Sequence, residues 1–539
     1  MIETSLVQSS DYSQHQLELL NPKNYQSLIE LFNESCHLYR DKPAFSCLGH
    51  TLTFNDVDLM SRNFAAYLLN ETNLKQGDRI AIQLPNLSQY PIAAWGALRA
   101  GLILVNTNPL YTQRELIHQF NDAQVKALVV LDSILPTIEA IVEQTSIEKV
   151  IVTSPIDFVQ AQPLKQTILP GAVSFLHAID IGTGYALPEL MQNMDDIAVL
   201  QYTGGTTGLS KGVILTQGNL YTSNRMASMM LDEETAEEDD IIISPMPLYH
   251  VYGFTFNIIR GFVNGGLSVL IPDPRDLTSM INTMKNYPFN GFAGVNTLFV
   301  GLLNHPDFDS VDFSHLKGVI SGGAALVEEI SNEWFKRTES TIYEAYGLSE
   351  TSAIVTCNNP EFNQLGTVGR TMPHLEIKTI DAAGNELACG EAGELVVRGP
   401  HVMKGYWQAP DATAEVLNDE GWFRTGDIAI IQTDGFIKIV DRLKDMVLVS
   451  GFNVYPNEVE AVVYGHPDVL ECAVVGIDDQ KTGEAVKLFV VSTNSDLNED
   501  NLKAFCRERL AAYKVPKYYE FKEALPKSNV GKILRKELR

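Results

Sequence analysis

Short apolar runs alternate with longer amphipathic stretches through the first two-thirds of the chain. The runs at 79–85, 126–132 and 149–154 are mostly apolar and have the length of strands. Between the runs stand segments with helical spacing of apolar residues, such as the one at 90–101. Strands that are apolar on both faces and alternate with helices indicate parallel sheets covered on both sides. We therefore expect ligands to bind beyond the carboxyl ends of the strands, where Gly-rich turns follow.

The pattern changes near residue 375. From there to residue 440, short strands joined by turns indicate a small β-rich layer. The final segment has a helix, two strands and a further helix in its pattern, which is typical of a compact α+β domain. The sequence thus predicts an α/β protein with a large N-terminal domain of mostly parallel sheets over 1–441, a hinge at 442–446 and a small C-terminal domain over 447–539.

Composition narrows the possible functions. The 539 residues carry a net charge of −27, which argues against a nucleic-acid binder because a phosphate backbone needs a basic surface. Positive charge is concentrated in the last 27 residues, which hold eight Lys and Arg against three Glu. The six cysteines form no C-x-x-C pair, so we expect reduced thiols rather than a zinc site. Neither a secretory signal nor a membrane-spanning run is visible, and we expect a cytoplasmic protein.

The segment 202–212, Tyr-Thr-Gly-Gly-Thr-Thr-Gly-Leu-Ser-Lys-Gly, follows a predicted strand. Its glycines let backbone N–H groups approach a phosphate, its hydroxyls add donors and its lysine adds a positive charge. It is not a Walker A loop, because Ser210 precedes Lys211 and Gly212 follows it. The segment therefore predicts a polyphosphate-binding loop, whose candidate residues are Thr203, Gly204, Gly205, Thr206, Thr207, Gly208 and Lys211.

This loop resembles the signature of the adenylate-forming (AMP-binding) superfamily, which includes acyl-CoA ligases, adenylation domains of peptide synthetases and luciferases. The similarity extends over residues 25–539 and includes several further motifs in the family's order. It implies activation of a carboxylic acid with ATP and Mg²⁺, and a C-terminal domain that is mobile.

Three motifs of the large domain acquire roles from this resemblance. The segment 321–325 corresponds to an adenine pocket, with Gly322, Gly323 and Ala324 as its candidates. In the segment 343–351, Tyr346 would stack on adenine, Gly347 would leave room for the acyl group, and Glu350 with Thr207 would hold Mg²⁺. Out of this context, Glu350 would be an ordinary surface carboxylate. Asp427, in the segment 422–427, would accept hydrogen bonds from the ribose hydroxyls.

The resemblance also assigns roles to residues of the predicted hinge and the small domain. By resemblance, Arg442 would reach the ribose or the phosphates, and Lys444 would be the pivot of the hinge. Gly451 would let the pantetheine arm of CoA pass its backbone. Lys532, in the segment 526–532, would be the catalytic lysine that contacts the carboxylate and the α-phosphate, acting through charge and positioning.

The acid is indicated by the segment 245–254, which precedes a strongly apolar helical stretch. By resemblance, His250 is a catalytic candidate near the path of the acyl group and CoA, while Tyr249 and Phe254 are candidates for the acyl pocket, with Phe254 as its gate. Core packing explains these aromatic residues equally well. No polar partner for a small acid is visible, so the residues themselves support a hydrophobic carboxylic acid.

Several longer stretches resemble the bacterial long-chain fatty-acid–CoA ligases of β-oxidation, namely 105–116, 294–299, 450–460, 513–517 and 525–538. The resemblance implies formation of a fatty acyl-adenylate, with release of pyrophosphate, and transfer of the acyl group to CoA, with release of AMP. A ligase for medium-chain or aromatic acids and a ligase that loads a carrier protein stay open as alternatives. Relatives also lead us to expect a homodimer with peripheral contact to the inner membrane.

Overall fold

The computed structural model of the protein describes residues 7–8, 25–160, 169, 171–203, 210–230, 240–528 and 531–539. Most of the predicted phosphate loop, from 204 to 209, therefore lies outside the described residues. The described strands, numbered in chain order, are β1 (Val7–Gln8), β2 (Pro43–Cys47), β3 (His50–Thr53), β4 (Arg79–Gln83), β5 (Ile103–Asn106), β6 (Val125–Leu131), β7 (Lys149–Thr153), β8 (Val173–Ser174), β9 (Ile197–Thr203), β10 (Lys211–Thr216), β11 (Ile241–Ser244), β12 (Leu267–Leu270), β13 (Gly291–Gly294), β14 (Gly318–Ser321), β15 (Ile342–Tyr346), β16 (Thr356–Cys357), β17 (Arg370–Thr371), β18 (Glu376–Ile380), β19 (Ala392–Arg398), β20 (Gly405–Tyr406), β21 (Phe423–Ile431), β22 (Ile437–Arg442), β23 (Val447–Val449), β24 (Phe452–Val454), β25 (Val469–Asp479), β26 (Gly483–Ser492) and β27 (Tyr518–Phe521).

The helices cover both faces of the larger sheets. In chain order they are α1 (Leu28–Leu38), α2 (Phe54–Asn70), α3 (Gln89–Arg99), α4 (Gln113–Asp122), α5 (Leu135–Glu139), α6 (Phe175–Gly182), α7 (Gln217–Met230), α8 (Val251–Gly253), α9 (Leu277–Met284), α10 (Asn296–Leu303), α11 (Glu328–Thr338), α12 (Pro410–Val416), α13 (Pro456–Tyr464) and α14 (Glu499–Arg507).

Two large sheets form the body of the N-terminal region. One has the order β20-β10-β9-β5-β4-β6-β7-β8 and is parallel from β9 to β8. The other has the order β17-β16-β15-β14-β13-β11-β12-β2-β3 and is parallel from β15 to β2. Antiparallel strands close one edge of the first sheet and both edges of the second. The prediction of mostly parallel sheets covered by helices is therefore confirmed.

Stacked aromatic rings join the helices to the second large sheet. Phe32 of α1 lies 4.3 Å from the ring of Trp95 in α3 and 5.0 Å from Phe262, measured between ring centroids. Phe262 in turn contacts Phe54 of α2 and Phe45 of β2. These buried rings exclude a large apolar area from water, and they fix the two sheets as one rigid frame around the cleft between them.

A third sheet, antiparallel with the order β1-β18-β19-β21-β22, forms the predicted β-rich layer. The C-terminal region has its own antiparallel sheet, β24-β23-β26-β25, with β27 parallel to β26 and the helices α13 and α14 packed on it. Its separate apolar core includes Val459, Cys472 and Leu502. Strand β22 ends at Arg442 and β23 begins at Val447, which is where the hinge was predicted.

The apolar stretch that follows His250 is helical, as expected, but it is wound as a π-helix from Phe254 to Gly261. π-Helical segments are rare and occur frequently at functional sites, because the wider turn shifts the direction of side chains. This segment packs against α7 and forms one wall of the cleft described below. In the part of the chain that the structure describes, no helix is both long enough and apolar enough to cross a membrane.

Gly369 and Gly366 provide a matched test of how tightly the chain before β17 packs against β16 at the edge of the second sheet. Both have a positive φ, +80° and +79°, but a Cβ on Gly369 would lie 2.0 Å from the carbonyl of Cys357, whereas Gly366 faces open space. We expect Gly366→Ala to cost about 1 kcal/mol through backbone strain alone, and Gly369→Ala to cost about 3 kcal/mol because the backbone of β16 must also move. Thermal unfolding of the two variants side by side measures the difference. Equal midpoints would contradict this packing.

Candidate active site

A cleft of about 2230 Å³ lies where the three sheets of the large region meet the C-terminal region. Its walls include the ends of β9, β14, β15, β21 and β22, the start of α8 and the π-helix, and the C-terminal loop with Lys532. The carboxyl ends of β9, β14 and β15 open into it, which agrees with the expectation for ligand sites in parallel sheets. Most of the predicted site residues within the described chain line this cleft, namely Thr203, Lys211, Tyr249, His250, Gly322, Gly323, Ala324, Tyr346, Gly347, Glu350, Asp427, Arg442, Lys444 and Lys532.

The carboxylate of Asp427 lies at the centre of one end of the cleft. It accepts a hydrogen bond of 2.6 Å from the hydroxyl of Tyr346, and Nε of Arg442 lies 3.3 Å away across the β21–β22 pair. Asp427 is buried, and burial together with this carboxylate holds the pKa of Tyr346 well above its ordinary value. The arrangement presents an aromatic ring, a carboxylate acceptor and a guanidinium side by side, which suits a nucleoside carrying phosphates.

The segment 322–324 forms the adjoining wall. A Cβ on Gly322 would lie 3.2 Å from the ring of Tyr252, whose hydroxyl donates to the carbonyl of Ile320 at 3.2 Å. Small residues therefore leave a flat surface here. Beside it, Glu344 accepts a hydrogen bond of 3.0 Å from the N–H of Leu326, and burial raises the pKa of Glu344 to about 8. This buried acid was missed by the sequence analysis, although it stands in the quoted segment 343–351.

The structure gives a reason for glycine at position 347 other than the predicted one, which was to leave room for the acyl group. A Cβ at this position would lie 1.7 Å from the carbonyl oxygen of Ala353, so the space beside Gly347 is filled by the chain's own backbone. Glycine is required here for the close approach of the segment that follows the short 3₁₀ turn Ser349–Thr351. The residue still lines the cleft, but its lack of a side chain serves the local fold and need not serve an acyl group.

Glu350 and Lys211 mark the phosphate end of the cleft. The hydroxyl of Tyr406 donates a hydrogen bond of 2.9 Å to Oε1 of Glu350, and Nζ of Lys211 lies 5.2 Å from the centre of the same tyrosine ring. Lys211 also pairs with Thr203 across the β9–β10 ladder. The predicted residues Gly204, Gly205, Thr206, Thr207 and Gly208 lie outside the described residues. Tyr406, which the sequence analysis did not single out, orients the carboxylate of Glu350.

The donor set at this end suits Mg²⁺. Oε1 of Glu350 is engaged by Tyr406, and no hydrogen bond in the described chain uses Oε2, which is a hard oxygen donor facing the cleft. Across the described ranges, no group of three or more His, Cys, Asp or Glu side chains could hold a metal on its own. Protein sites usually bind Mg²⁺ through one or two carboxylates together with substrate phosphates, and Glu350 would supply one such carboxylate.

Lys532 reaches into the cleft from the C-terminal region. Its loop is fixed to the large region by a hydrogen bond of 2.9 Å from Oγ1 of Thr297 to the carbonyl of Gly531. Burial and the nearby guanidinium of Arg442 lower the pKa of Lys532 to about 8, although Asp427 opposes the shift. Burial, assisted by the charge of Lys532, lowers the pKa of His250 to about 4, so this histidine is neutral at pH 7. Its Nδ1 accepts the N–H of Tyr252 at 3.3 Å.

The hinge is crossed by a cluster of charged groups. Asp441, at the end of the large region, accepts the N–H of Asn457 at 2.7 Å, and Nη1 of Arg535 lies 3.6 Å from it. Arg535 also pairs with Glu460 and Asp445, and burial raises the pKa of Asp441 to about 6 against the effect of Arg535. The sequence analysis missed Arg535, since a basic residue near a chain end is usually solvated.

Two predicted residues lie away from the cleft. Phe254 is buried in the core with 1 % of its surface exposed and does not line the cleft, so its role as a gate stays a prediction. Tyr252 of α8 and Thr255 and Phe256 of the π-helix line the cleft instead. Gly451 has a φ of +84° in a turn of the small domain and does not line the cleft in this arrangement. Its place on the path of CoA stays a prediction.

Comparison with protein families identifies the chain. Residues 32–407 match the model of the AMP-binding enzymes, and residues 458–532 match the model of the AMP-binding enzyme C-terminal domain. The chain belongs to the family of AMP-binding enzymes. The resemblance inferred from the motifs is therefore confirmed, and so is the α/β architecture expected from it.

Individual AMP-binding enzymes are similar over almost the whole chain. The long-chain-fatty-acid–CoA ligase of Salmonella typhimurium is 45% identical, covering 96% of this chain and 95% of that protein. The solved structure of a benzoate CoA ligase from Burkholderia xenovorans is 26% identical, with a TM-score of 0.84 and coverage of 96% of this chain and 100% of that one. The anthranilate CoA ligase AuaEII, solved with anthranoyl-AMP, is 24% identical with a TM-score of 0.87 and coverage of 95% and 96%, and shares the fold.

The contact between Tyr406 and Glu350 predicts a defect in the use of Mg·ATP. Tyr406→Phe removes the hydroxyl that orients the carboxylate. Because one hydrogen bond to a charged group is lost, we expect kcat/KM for ATP to fall about fivefold to tenfold. We also expect the Mg²⁺ concentration at half-saturation to increase. Steady-state rates at varied ATP and Mg²⁺ measure both. The matched control is Tyr185→Phe, which removes a tyrosine–glutamate hydrogen bond to Glu71 on the exposed surface and should change neither value. An unaltered Mg²⁺ dependence in Tyr406→Phe would contradict the assignment.

The low pKa of Lys532 predicts a pH dependence. Because its ordinary value is 10.5 and its value here is about 8, the lysine is charged below pH 8 and becomes neutral above it. We expect kcat/KM for adenylate formation, which reports the free enzyme, to fall as pH rises through about 8. Lys532→Arg should be slower but lose this decline, since a guanidinium stays charged.

Thioester formation from supplied acyl-adenylate provides the control for this pH effect. If Lys532 acts only in the first half-reaction, the second should keep its rate in Lys532→Ala and show no decline near pH 8 beyond that of the thiol substrate. An equal loss in both half-reactions would be inconsistent with the role given to Lys532.

Proposed function

We propose that the chain is a long-chain fatty-acid–CoA ligase, which forms a fatty acyl-adenylate from ATP with release of pyrophosphate and then transfers the acyl group to CoA with release of AMP. The observation that carries the proposal is the position of Lys532 near Asp427, Arg442 and His250. Lys532 lies in the cleft between the part that suits a nucleotide and the part that is lined by apolar residues. The 45% identity to a long-chain-fatty-acid–CoA ligase over nearly the full length supports the substrate class.

The first half-reaction follows from charges in the cleft. The carboxylate of the acid attacks the α-phosphorus of ATP in line, a P–O bond forms, and the bond to the pyrophosphate oxygen breaks. Negative charge develops on the phosphoryl oxygens, and Lys532 and Arg442 stabilise it from two sides without changing their own protonation. Glu350 would hold Mg²⁺, which supplies further positive charge to the phosphates. Asp427 and Tyr346 orient the nucleoside.

The second half-reaction requires the small domain to move. We propose that it turns about Lys444, which withdraws Lys532 and brings Gly451 to the cleft, where CoA thiolate attacks the acyl carbon and AMP leaves. A division at 1–441, 442–446 and 447–539 is consistent with this motion, because the two regions have separate cores and no sheet of the described residues combines strands from both. His250 is neutral and lies near Lys532, so it lines the path of the acyl group without adding a positive charge to the cleft.

The acyl pocket of the proposal is the part of the cleft beyond His250. Its lining includes Val251, Phe256, Ile320 and Ala353, which are apolar, together with Tyr249. A mostly apolar wall favours a hydrophobic chain over a small polar acid. We further propose a homodimer and peripheral contact with the inner membrane; the basic C-terminal residues and the partition of fatty acids into lipid support the latter.

Release of AMP and pyrophosphate with ATP, Mg²⁺ and CoA, measured across acids from acetate to oleate and with benzoate, tests the proposal. We expect kcat/KM to rise with chain length, because each methylene buried in an apolar pocket contributes about 0.8 kcal/mol, roughly a fourfold change. Formation of acyl-CoA confirms the acceptor, and a purified carrier protein in place of CoA is the control. A maximum at short-chain or aromatic acids would overturn the long-chain assignment and leave the adenylation mechanism in place.

A further inference from the structure

A guanidinium faces the part of the cleft that the proposed function gives to the acyl chain. Arg260 stands at the end of the π-helix Phe254–Gly261 and lines the cleft, with part of its surface open to it. Its Nε is buried and has no hydrogen-bond partner, and no ion pair of this side chain occurs in the described ranges. An apolar pocket for a plain hydrocarbon chain would be better lined by an aliphatic residue.

The surroundings of Arg260 do not neutralise its charge. The ring of Phe256 lies 5.4 Å from the guanidinium carbon. The carboxylate of Asp240 attracts it, but that carboxylate is already paired with Lys317 at 3.1 Å. The other interacting group is the thiol of Cys357, and burial raises the pKa of this thiol to about 12, so it carries no charge at pH 7. Burial lowers the pKa of Arg260, yet a guanidinium stays protonated in proteins.

A guanidinium with a buried nitrogen that has no partner is unfavourable, because native structures usually offset the desolvation of such a group with hydrogen bonds or an opposite charge. Among the described residues none supplies either to Nε of Arg260, so a ligand group in the cleft is the natural counterpart. A carboxylate or hydroxyl oxygen is the best match, because a guanidinium presents planar donors to such acceptors.

The position of Arg260 indicates which part of a substrate it would meet. His250, beside Lys532, caps the start of α8, and the helix continues through Thr255 and Phe256 to Arg260 along the cleft wall. Ten residues at about 1.5 Å each place Arg260 up to about 15 Å from the activation centre, and less where the winding is wider. Arg260 therefore lies beside the distal part of a bound acyl chain and not beside its activated carboxyl end.

We propose that Arg260 binds an oxygen acceptor on the far part of the acyl chain, so that the enzyme accepts long-chain acids that carry a terminal carboxylate or hydroxyl. This inference rests on the proposed function, because it assigns the distal end of the same acyl pocket. It adds a substrate class, oxygenated long-chain acids, to the plain fatty acids.

Arg225 of α7 is the matched control. Its Nε is likewise buried without a hydrogen-bond partner, and its guanidinium lies 5.9 Å and 5.7 Å from the rings of Tyr25 and Tyr221. Unlike Arg260, it does not line the cleft. Replacement of either arginine by leucine removes a buried charge, but the two changes differ in whether a substrate could contact the residue.

The experiment compares α,ω-dicarboxylic, ω-hydroxy and plain acids of equal length, from eight to sixteen carbons, by AMP release. For each chain length we take the ratio of kcat/KM for the oxygenated acid to kcat/KM for the plain acid. We expect this ratio to fall about tenfold or more in Arg260→Leu, because a charge-assisted hydrogen bond is lost. Arg260→Lys should retain part of the ratio, and Arg225→Leu should leave it unchanged. An unaltered ratio in Arg260→Leu, or an equal fall in Arg225→Leu, would overturn the proposal.

Direct binding separates this inference from the proposed function. The dissociation constant of hexadecanedioic acid, measured by calorimetry with the full chain, should rise in Arg260→Leu while that of palmitic acid falls or stays unchanged. This result would stand even if turnover failed with every acid, which would refute the ligase function alone. Equal changes for both acids would show that Arg260 supports the fold of the cleft and does not bind an oxygen at the far end of the acyl chain.

Discussion

The carboxylate of Asp427 connects the parts of the protein that must act together. It stands on β21 of the third sheet, accepts a hydrogen bond from the hydroxyl of Tyr346 in the second sheet, and pairs with Arg442 at the start of the predicted hinge. It also attracts Lys532 of the C-terminal region. One buried acid therefore interacts with groups from three parts of the fold. Its hydrogen bond and its ion pair help to hold those parts together around the cleft.

The cleft concentrates cations in a protein of strongly negative charge. Lys532 is lowered in pKa by burial and by Arg442, Arg535 and Lys444, so these groups repel one another across the site. Asp427 and the acids paired with Arg535 offset part of this repulsion, and a triphosphate together with a carboxylate would supply further negative charge. The same repulsion favours withdrawal of Lys532 once pyrophosphate has left, since the negative charge that held it in place has then decreased. Electrostatics thus link the chemical step to the order of the two proposed half-reactions.

Much of the fold could be predicted because its signals are local. Apolar runs of strand length predicted the parallel sheets, and the change near residue 375 to short strands joined by turns predicted the antiparallel layer. The site was less accessible, since its contacts join residues distant in sequence. Tyr406 orients Glu350 from 56 positions away, and no local pattern distinguishes it from other tyrosines. Phe254 lies in the core while Thr255 and Phe256 line the cleft, because π-helical winding changes which side chains face it, and periodicity does not reveal such a shift.

The hinge cluster shows what the proposed rotation would cost. Asp441 belongs to the large region, whereas Asn457, Glu460 and Arg535 belong to the small one, so a turn about Lys444 would break the contacts of Asp441 with Asn457 and Arg535. Arg535 would keep Glu460, which moves with it, and would not be left unpaired. Asp441 would lose its partners, but it would also gain water, and the burial that now raises its pKa to about 6 would be relieved. The loss and the gain act on the same carboxylate, and they partly cancel. A cluster built in this way can define one orientation of the small domain without making the other orientation inaccessible, which is what an enzyme with two half-reactions at one cleft requires.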